Sequence, residues 1–454
     1  MNRSFFNGLL DQIVDRGRSL LDLSLVGLGQ DEAIEDLAAA LLSGRGESSG
    51  IVIAQHILSS YRMLDPADKL AFFTFLNDRF AADQEAVSKA ANAYLQHPGP
   101  DTLKLLAQKT EAPRQEFFHR LNLAPGGTAE IVAMRVDLLE FLKDDPSLSP
   151  VDDDLVHLFE SWFNRGFLVP RRIDWATPAA ILEKIIEYEA VHEIRGWDDL
   201  KRRLDPSDRR CYGFFHPSLV DEPLIFVEVA LTREIPASIQ DLLDEQSTAP
   251  AKEPTTAVFY SISNCQKGLT GISFGNFLIK QVVTDLAREI PSLKTFVTLS
   301  PIPTFGHWLE AERVSEASAL LSADERSALS SLDNKDWHLD QHAAAGLKDL
   351  IVKLGAYYLV SVKAPNGRPF DPVARFHLGN GAGLERINWL ADTSPQGIRQ
   401  SAGLMVNYLY ELKDIERNHE AFANDGNVVC ASAIQKAARA LEKSVKPAAE
   451  PANS

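Results

Sequence analysis

A helical domain followed by a mixed α/β domain is the fold class that the sequence predicts, and three observations predict it. From residue 32 to about 142, apolar side chains recur at helical spacing with no β-rich stretch between them. From 211 onward, short runs rich in β-branched and aromatic residues alternate with helical ones. A chain of 454 residues is too long for one ordinary core and suits two. The composition changes near Phe167-Leu168-Val169-Pro170. This places a helical bundle over 1–168 and a mixed α/β domain over 169–454.

The elements follow in order. Residues 32–42 are good helix formers that stop at Ser43-Gly44, and 51–63 carry the next helical pattern. Asp65-Pro66 is a cap and first turn for a helix over 68–80, where Leu70, Phe73, Leu76 and Phe80 share one face. Helical patterns continue over 83–95, 102–109 and 113–121. Gly126-Gly127 breaks the run before a helix at 128–142. Beyond the boundary, 178–191 reads as a helix with Thr177 as cap. Strands are expected at 211–215, 224–231, 257–263 and 295–299, with a helix at 277–289. Residues 247–256 read as a mobile loop and the tail from about 445 as disordered.

Composition narrows the function classes. Hydrophobic residues make up 45% and charged residues 24%, the balance of a soluble folded protein. The net charge of -17 argues against a nucleic-acid partner, whose phosphates are met by Lys and Arg. It leaves room for a locally basic pocket and an anionic small substrate. Cys211, Cys265 and Cys430 are far apart, and no CxxC, HExxH or Cys/His cluster occurs. Neither a disulfide framework nor a metal site is expected, and a reducing compartment is the default. No stretch of about 20 apolar residues is present to cross a membrane, and the first residues lack the build of a signal peptide.

Three segments carry candidate chemistry. Gln266, Lys267, Gly268, Leu269, Thr270, Gly271 and Gly275 form a glycine-rich turn between an expected strand and helix. Glycines turn the backbone tightly, and the helix start adds unpaired N–H groups, which together suit a phosphate or diphosphate. The same segment can be a plain loop with capping glycines, since neither a P-loop nor GxGxxG is present. Ser300 ends a strand before Pro301-Ile302-Pro303. It is either a strand-end cap or a stiffly held hydroxyl donor. His377 sits in Phe376-His377-Leu378, a run that reads as a strand. It is either a core residue or a proton carrier near neutrality. Asn388, Asp392 and Tyr408 follow as possible supporting groups; Tyr408 and Tyr410 are read as helical tyrosines that either orient a carboxylate or a histidine or, as is commoner, simply pack. Lys267, Lys280, Arg375 and Arg386 are candidates for local positive charge, each equally an ordinary surface or structural residue.

These residues also carry a resemblance. Leu299-Ser300-Pro301-Ile302-Pro303, the 372–382 block, Arg386-Ile387-Asn388-Trp389 with Ala391-Asp392, Gly403-Leu404-Met405 and Asn407-Tyr408-Leu409-Tyr410 resemble the malonyl-CoA decarboxylase family. Arg209-Arg210-Cys211-Tyr212, Tyr260-Ser261-Ile262-Ser263 and Gln266-Lys267-Gly268-Leu269 are similar to it as well. The likeness covers most of 162–410. It implies conversion of malonyl-CoA to acetyl-CoA and CO2 with no cofactor, and self-association to a dimer or tetramer through the helical domain. It also implies a catalytic domain resembling the acetyltransferase (GNAT) fold. The catalytic serine and histidine fall on Ser300 and His377, and the associated tyrosine on Tyr410. Eukaryotic members carry a glutamate where this chain has Ser273, so no catalytic carboxylate is assigned there. The eukaryotic peroxisomal ending is missing, which points to a bacterial cytoplasmic enzyme. Two rival functions remain: an acyl-CoA-dependent acyltransferase, and a non-catalytic malonyl-CoA sensor or scaffold.

Overall fold

The structure, a computed structural model, describes residues 32–44, 46–243, 253–272, 277–315, 318 and 320–445. The expected mobile loop falls largely outside these residues, as do Ser273, Gly275 and the end of the expected tail. Contacts divide the chain into two units. The first takes the residues up to Val169 together with Phe215–Glu222 and Gln266–Phe274, and the second takes the remainder. A split at one point in the sequence therefore misses two short segments that pack with the helical unit.

The helical unit holds α1 (Ile34–Leu41), α2 (Glu47–Met63), α3 (Pro66–Arg79), α4 (Gln84–Gln96), α5 (Pro100–Thr110), α6 (Pro113–Asn122), α7 (Gly127–Phe141) and α8 (Ser149–Trp162). Pro66 opens α3 and Asp65 accepts the Asp68 N–H at 2.9 Å, as the sequence predicts. The core is aromatic: Phe72, Phe73, Phe117, Phe118 and Phe159 are fully buried, each worth about 1.5–3 kcal/mol of apolar burial. Buried Arg114 pairs with Asp154, and Arg135 with Asp152 at 2.6 Å. The hairpin α4–α5 differs from its neighbours. Its two helices pack mainly on each other, Ala90 alone is buried, and Leu95, Leu103 and Leu105 stay exposed.

The second unit is built on an eight-stranded sheet. Its strands are β1 (Val169–Ile173), β2 (Arg209–Phe215), β3 (Pro223–Thr232), β4 (Thr256–Asn264), β5 (Thr295–Thr298), β6 (Ser300–Pro301), β7 (Gly383–Asn388) and β8 (Met405–Leu409). The order is β1-β2-β3-β4-β5-β8-β6, with β7 also paired to β8. Among the helices, α9 (Ala179–Tyr188), α10 (Trp197–Leu204) and α11 (Gln240–Leu243) precede β4, and α12 (Phe277–Glu289) links β4 to β5. Then come α13 (Phe305–Val314), α14 (Ala323–Leu329), α15 (Gln341–Ser361), α16 (Pro372–Gly379), α17 (Pro395–Ser401), α18 (Ile415–Asp425) and α19 (Ser432–Val445).

Two features of the sheet position the site. β4 and β5 run parallel, the hand-over expected of a strand–helix–strand crossover, but their pairing covers only Thr256–Phe259 against Thr295–Thr298. The last rung is the Leu299 N–H to the Phe259 carbonyl at 3.0 Å. On the other side of β4, its register with β3 steps so that Glu228 faces Ser261 while Val229 faces Phe259. Tyr260 is thus an extra residue, a bulge that bends the strand where β5 leaves it. β5 and β6 then continue along one edge of β8, with Val297 opposite Leu409 and Ser300 opposite Val406. The result is a fork between β4 and β6.

Three expectations are corrected here. Phe376-His377-Leu378 is not a strand but the last part of α16, because Asp371 caps and Pro372 starts a helix. Tyr408 lies in β8 and Tyr410 just after it, not in a helix. The expected helix over 178–191 ends at Tyr188, and Thr177 does not cap it. The Glu189 carboxylate instead takes the Val191 and His192 N–H groups at 2.9 and 2.7 Å, turning the chain.

Candidate active site

The fork is open, and its walls form a pocket of about 230 Å³. Val191, Phe259, Tyr260, Ile262, Asn264, Ser300, Pro301, Pro372, Val373, Phe376 and His377 line it. A larger cavity of about 550 Å³ around Trp337 and Arg399 holds none of the catalytic candidates. Chemistry, not size, therefore selects the smaller one.

At its floor lies a line of hydrogen bonds. Ser300 Oγ stands 3.0 Å from His377 Nε2, and His377 Nδ1 stands 2.8 Å from the Tyr410 hydroxyl. Ser300 also donates to Thr298 Oγ1 at 2.9 Å. Strand alternation makes this last contact, since residues two apart on an extended chain point to one face. β6 presents Ser300. α16 presents His377, and Asp371 fixes the start of that helix by accepting the Ala374 N–H at 2.9 Å. Thr304 Oγ1 donates to the same carboxylate at 3.0 Å and lies 2.7 Å from the Tyr358 hydroxyl. Tyr408 stacks on the imidazole with ring centres 4.5 Å apart.

Burial sets the charge states. His377 is pushed down to about 3 by burial, so its ring is neutral at physiological pH. Burial raises the Tyr410 hydroxyl well above its ordinary value, which keeps its proton on. Tyr408 is raised too, first by burial and then by the Asp371 charge, and its buried hydroxyl has no hydrogen-bond partner among the described residues.

The other predicted residues divide. Asn388 donates to Asn407 Oδ1 at 2.8 Å, and Asn407 in turn donates to the Thr298 carbonyl at 2.8 Å. Asn388 therefore supports the floor from behind. Asp392 accepts from Gln240 and from the Ser394 N–H and does not line the pocket. None of the four candidate cations lines it either. Lys280 pairs with Glu416, Arg375 donates to the carbonyls of Pro369 and Phe370, and Arg386 is held by Asn407, Ile235 and Pro236. Lys267 is exposed. In the glycine-rich turn, the amides of Leu269, Thr270 and Ile272 are used by internal turns. Arg135 grips the carbonyls of Gly268 and Thr270 at 2.8 and 2.9 Å. A Cβ on Gly268 would meet the Val132 carbonyl at 2.0 Å, so that glycine is a packing requirement of the helical unit.

Sequence reasoning missed Thr298, Val191 and Asn264. The Thr-x-Ser pattern of 298–300 at the end of a strand was the available signal for Thr298. Val191 had none, because the Glu189 turn brings it to the fork. Ser261 donates to Glu189 at 2.7 Å and ties that turn to β4.

Comparison with known proteins converges on one family. The sequence family described as "Malonyl-CoA decarboxylase C-terminal domain" matches residues 166–448, and "Malonyl-CoA decarboxylase N-terminal domain" matches residues 80–163. The chain is 40% identical over 331 residues to the mitochondrial malonyl-CoA decarboxylase of Anser anser anser and 36% identical over 345 to that of Rattus norvegicus. Those matches cover 67% and 70% of this chain, and it spans 65% and 69% of the two relatives, about two thirds of their length. Among solved structures, malonyl-CoA decarboxylase from Rhodopseudomonas palustris superposes with a TM-score of 0.86 at 55% identity, over 90% of this chain and 100% of that one. The enzyme from Agrobacterium vitis gives 0.85 at 53%, over 89% and 99%.

Proposed function

Because the chain belongs to the malonyl-CoA decarboxylase family, we propose that the pocket at the β4/β6 fork converts malonyl-CoA to acetyl-CoA and CO2. The observation that carries this reading is the Ser300–His377–Tyr410 line at the floor of a mainly apolar pocket that, among the described residues, no lysine or arginine lines. An ionised carboxylate is well solvated in water and poorly solvated there, whereas CO2 is neutral. Desolvation therefore favours loss of the carboxylate.

The bond from Cα to the carboxylate breaks, and its electron pair passes to the thioester as an enolate. One proton, taken up from solvent overall, ends on Cα. The thioester oxygen needs hydrogen-bond donors as charge develops. Past Phe259, β4 has no parallel partner among the described residues. Cys265 donates toward β3, so by alternation Asn264 and Ile262 turn their N–H groups to the open side. These amides are the proposed oxyanion donors. The Ser300–His377 pair supplies the proton at Cα, with a neutral imidazole. A parallel pair that parts at a bulge also supports an acetyltransferase-like arrangement of the sheet. The segment Gln266–Gly275 remains the proposed holder of the CoA phosphates, with Lys267, Thr270 and Gly271 exposed among its described residues. The α4–α5 hairpin, with its exposed leucines, is the proposed self-association surface.

The test is incubation with malonyl-CoA and no acyl acceptor. Acetyl-CoA and CO2 should form, and His377→Asn should lower kcat by about 100-fold or more while CoA binding is kept. A malonyl-CoA pool consumed only after an amine or alcohol is added would overturn the reading in favour of acyl transfer.

A further inference from the structure

The line of hydrogen bonds at the pocket floor has a direction, and the structure assigns the residue that sets it: we propose that Thr298 is a positioning residue that holds the proton of neutral His377 on Nε2, facing Ser300 and the pocket. The inference rests on the decarboxylase reading for its kinetic consequence, but its structural half stands without it.

A serine hydroxyl has one proton. Ser300 donates it to Thr298 Oγ1 at 2.9 Å. Thr298 is fully buried and last in β5, and its Oγ1 also accepts the Tyr408 N–H at 3.1 Å. That amide is a fixed donor from the neighbouring strand and fills one lone pair of the threonine oxygen; Ser300 fills the other, and the Thr298 hydroxyl keeps its own proton with no acceptor among the described residues. With its proton committed to Thr298, Ser300 can only accept across the 3.0 Å contact to His377. The proton in that contact must then be Nε2–H, since two lone pairs repel. A neutral imidazole has one N–H, so Nδ1 is bare. The 2.8 Å contact there is filled by the Tyr410 O–H, which has its proton to give. The full sequence of donors is Tyr410 to His377, His377 to Ser300, Ser300 to Thr298.

The arrangement suits the chemistry. When Nε2–H is given up toward Cα, through or beside Ser300, the Tyr410 O–H stays hydrogen-bonded to Nδ1 and steadies the charge left on the ring. A proton taken from solvent through the pocket then restores Nε2–H, so one proton is consumed per turnover. Without Thr298, the Ser300 hydroxyl would turn to Nε2 and the ring proton would move to Nδ1, facing away from the substrate. The rest of the floor is arranged to keep Thr298 in place: Asn388 holds Asn407, and Asn407 holds the Thr298 carbonyl.

The experiment reads the tautomer directly by histidine-ring nitrogen NMR of the intact protein, with the His377 signals assigned among 11 histidines by their loss in His377→Asn. The native protein should show a protonated Nε2 and a bare Nδ1. Thr298→Val should reverse them and lower kcat by about 100-fold with KM within about threefold, the range of a misdirected general acid. Thr298→Ser, which keeps the hydroxyl, should restore the native tautomer and most of kcat. A native ring protonated on Nδ1 overturns the proposal with no variant needed, so a Thr298→Val protein that fails to fold does not shelter it. Retention of Nε2–H or of full kcat in folded Thr298→Val overturns it equally. Failure of the native protein to decarboxylate malonyl-CoA would instead sink the functional reading and leave the tautomer result standing.

Discussion

His377 differs from a typical histidine in being almost wholly buried, and this gives the site its pH behaviour. Burial lowers its value to about 3, from an ordinary value of about 6.5 in the unfolded chain. Between those two values the unfolded chain binds a proton that the folded one refuses. Its contribution to stability is therefore complete above about pH 6.5 and is lost as pH falls toward about 3. His192, lowered to about 4 first by burial, acts in the same sense. Catalysis should accordingly show no limb in kcat/KM near pH 6.5 from His377, and its ring signals should not move between about pH 5 and 8. A limb there that disappears in His377→Asn would contradict the burial argument. At this scale the sequence was informative only through whole motifs. Ser300, His377 and Tyr410 were legible because they stand in long ordered stretches. Thr298 was not, because a threonine in a strand already satisfies β propensity and gives no sign of a second task.

Among elements, α16 is the one whose placement the chemistry needs. It is eight residues long, too short to hold itself in water, so its start must be fixed by its surroundings. Asp371 does this with the Ala374 N–H and the Thr304 hydroxyl while almost wholly buried. Asp371→Ala should cost about 1–2 kcal/mol in a denaturant titration, the scale of a lost cap, and should lower kcat by loosening His377. Phe376-His377-Leu378 is apolar enough to read as a strand, but the decisive signal is Asp371-Pro372, which caps and opens a helix five residues earlier. β8 was misread in the other direction, since five residues between two sheet neighbours have too little length to display a period. The helices α1 to α7 of the first unit were read within a few residues, because caps and period agree there, whereas α8 (Ser149–Trp162) drew no reading of its own.

For the whole molecule, the acidic balance of -17 and the mainly apolar pocket pose a problem of delivery. The proposed substrate is anionic, and electrostatic attraction from the bulk surface will not steer it. The rate of association should therefore rise with added salt, as screening removes repulsion, and stopped-flow measurement at low and high ionic strength checks the sign. The α4–α5 hairpin carries the other prediction at this scale. Replacing Leu95 and Leu103 by Glu should lower the mass seen by sedimentation without lowering the melting temperature, since neither side chain is in the core of its own unit. Two units were legible from length and periodicity. That Phe215–Glu222 and Gln266–Phe274 cluster with the helical unit was not, because chain order conceals which partner a short loop will choose.

The pocket exists because β4 and β5 stop pairing after Phe259 and because Tyr260 spoils the ladder with β3. It is an imperfection kept on purpose, and perfecting it would be fatal. Selection for heat resistance alone should accept improvements through most of the sheet yet reject any that mend these few rungs, for a flawless weave here would leave the molecule sturdier and its substrate with nowhere to go.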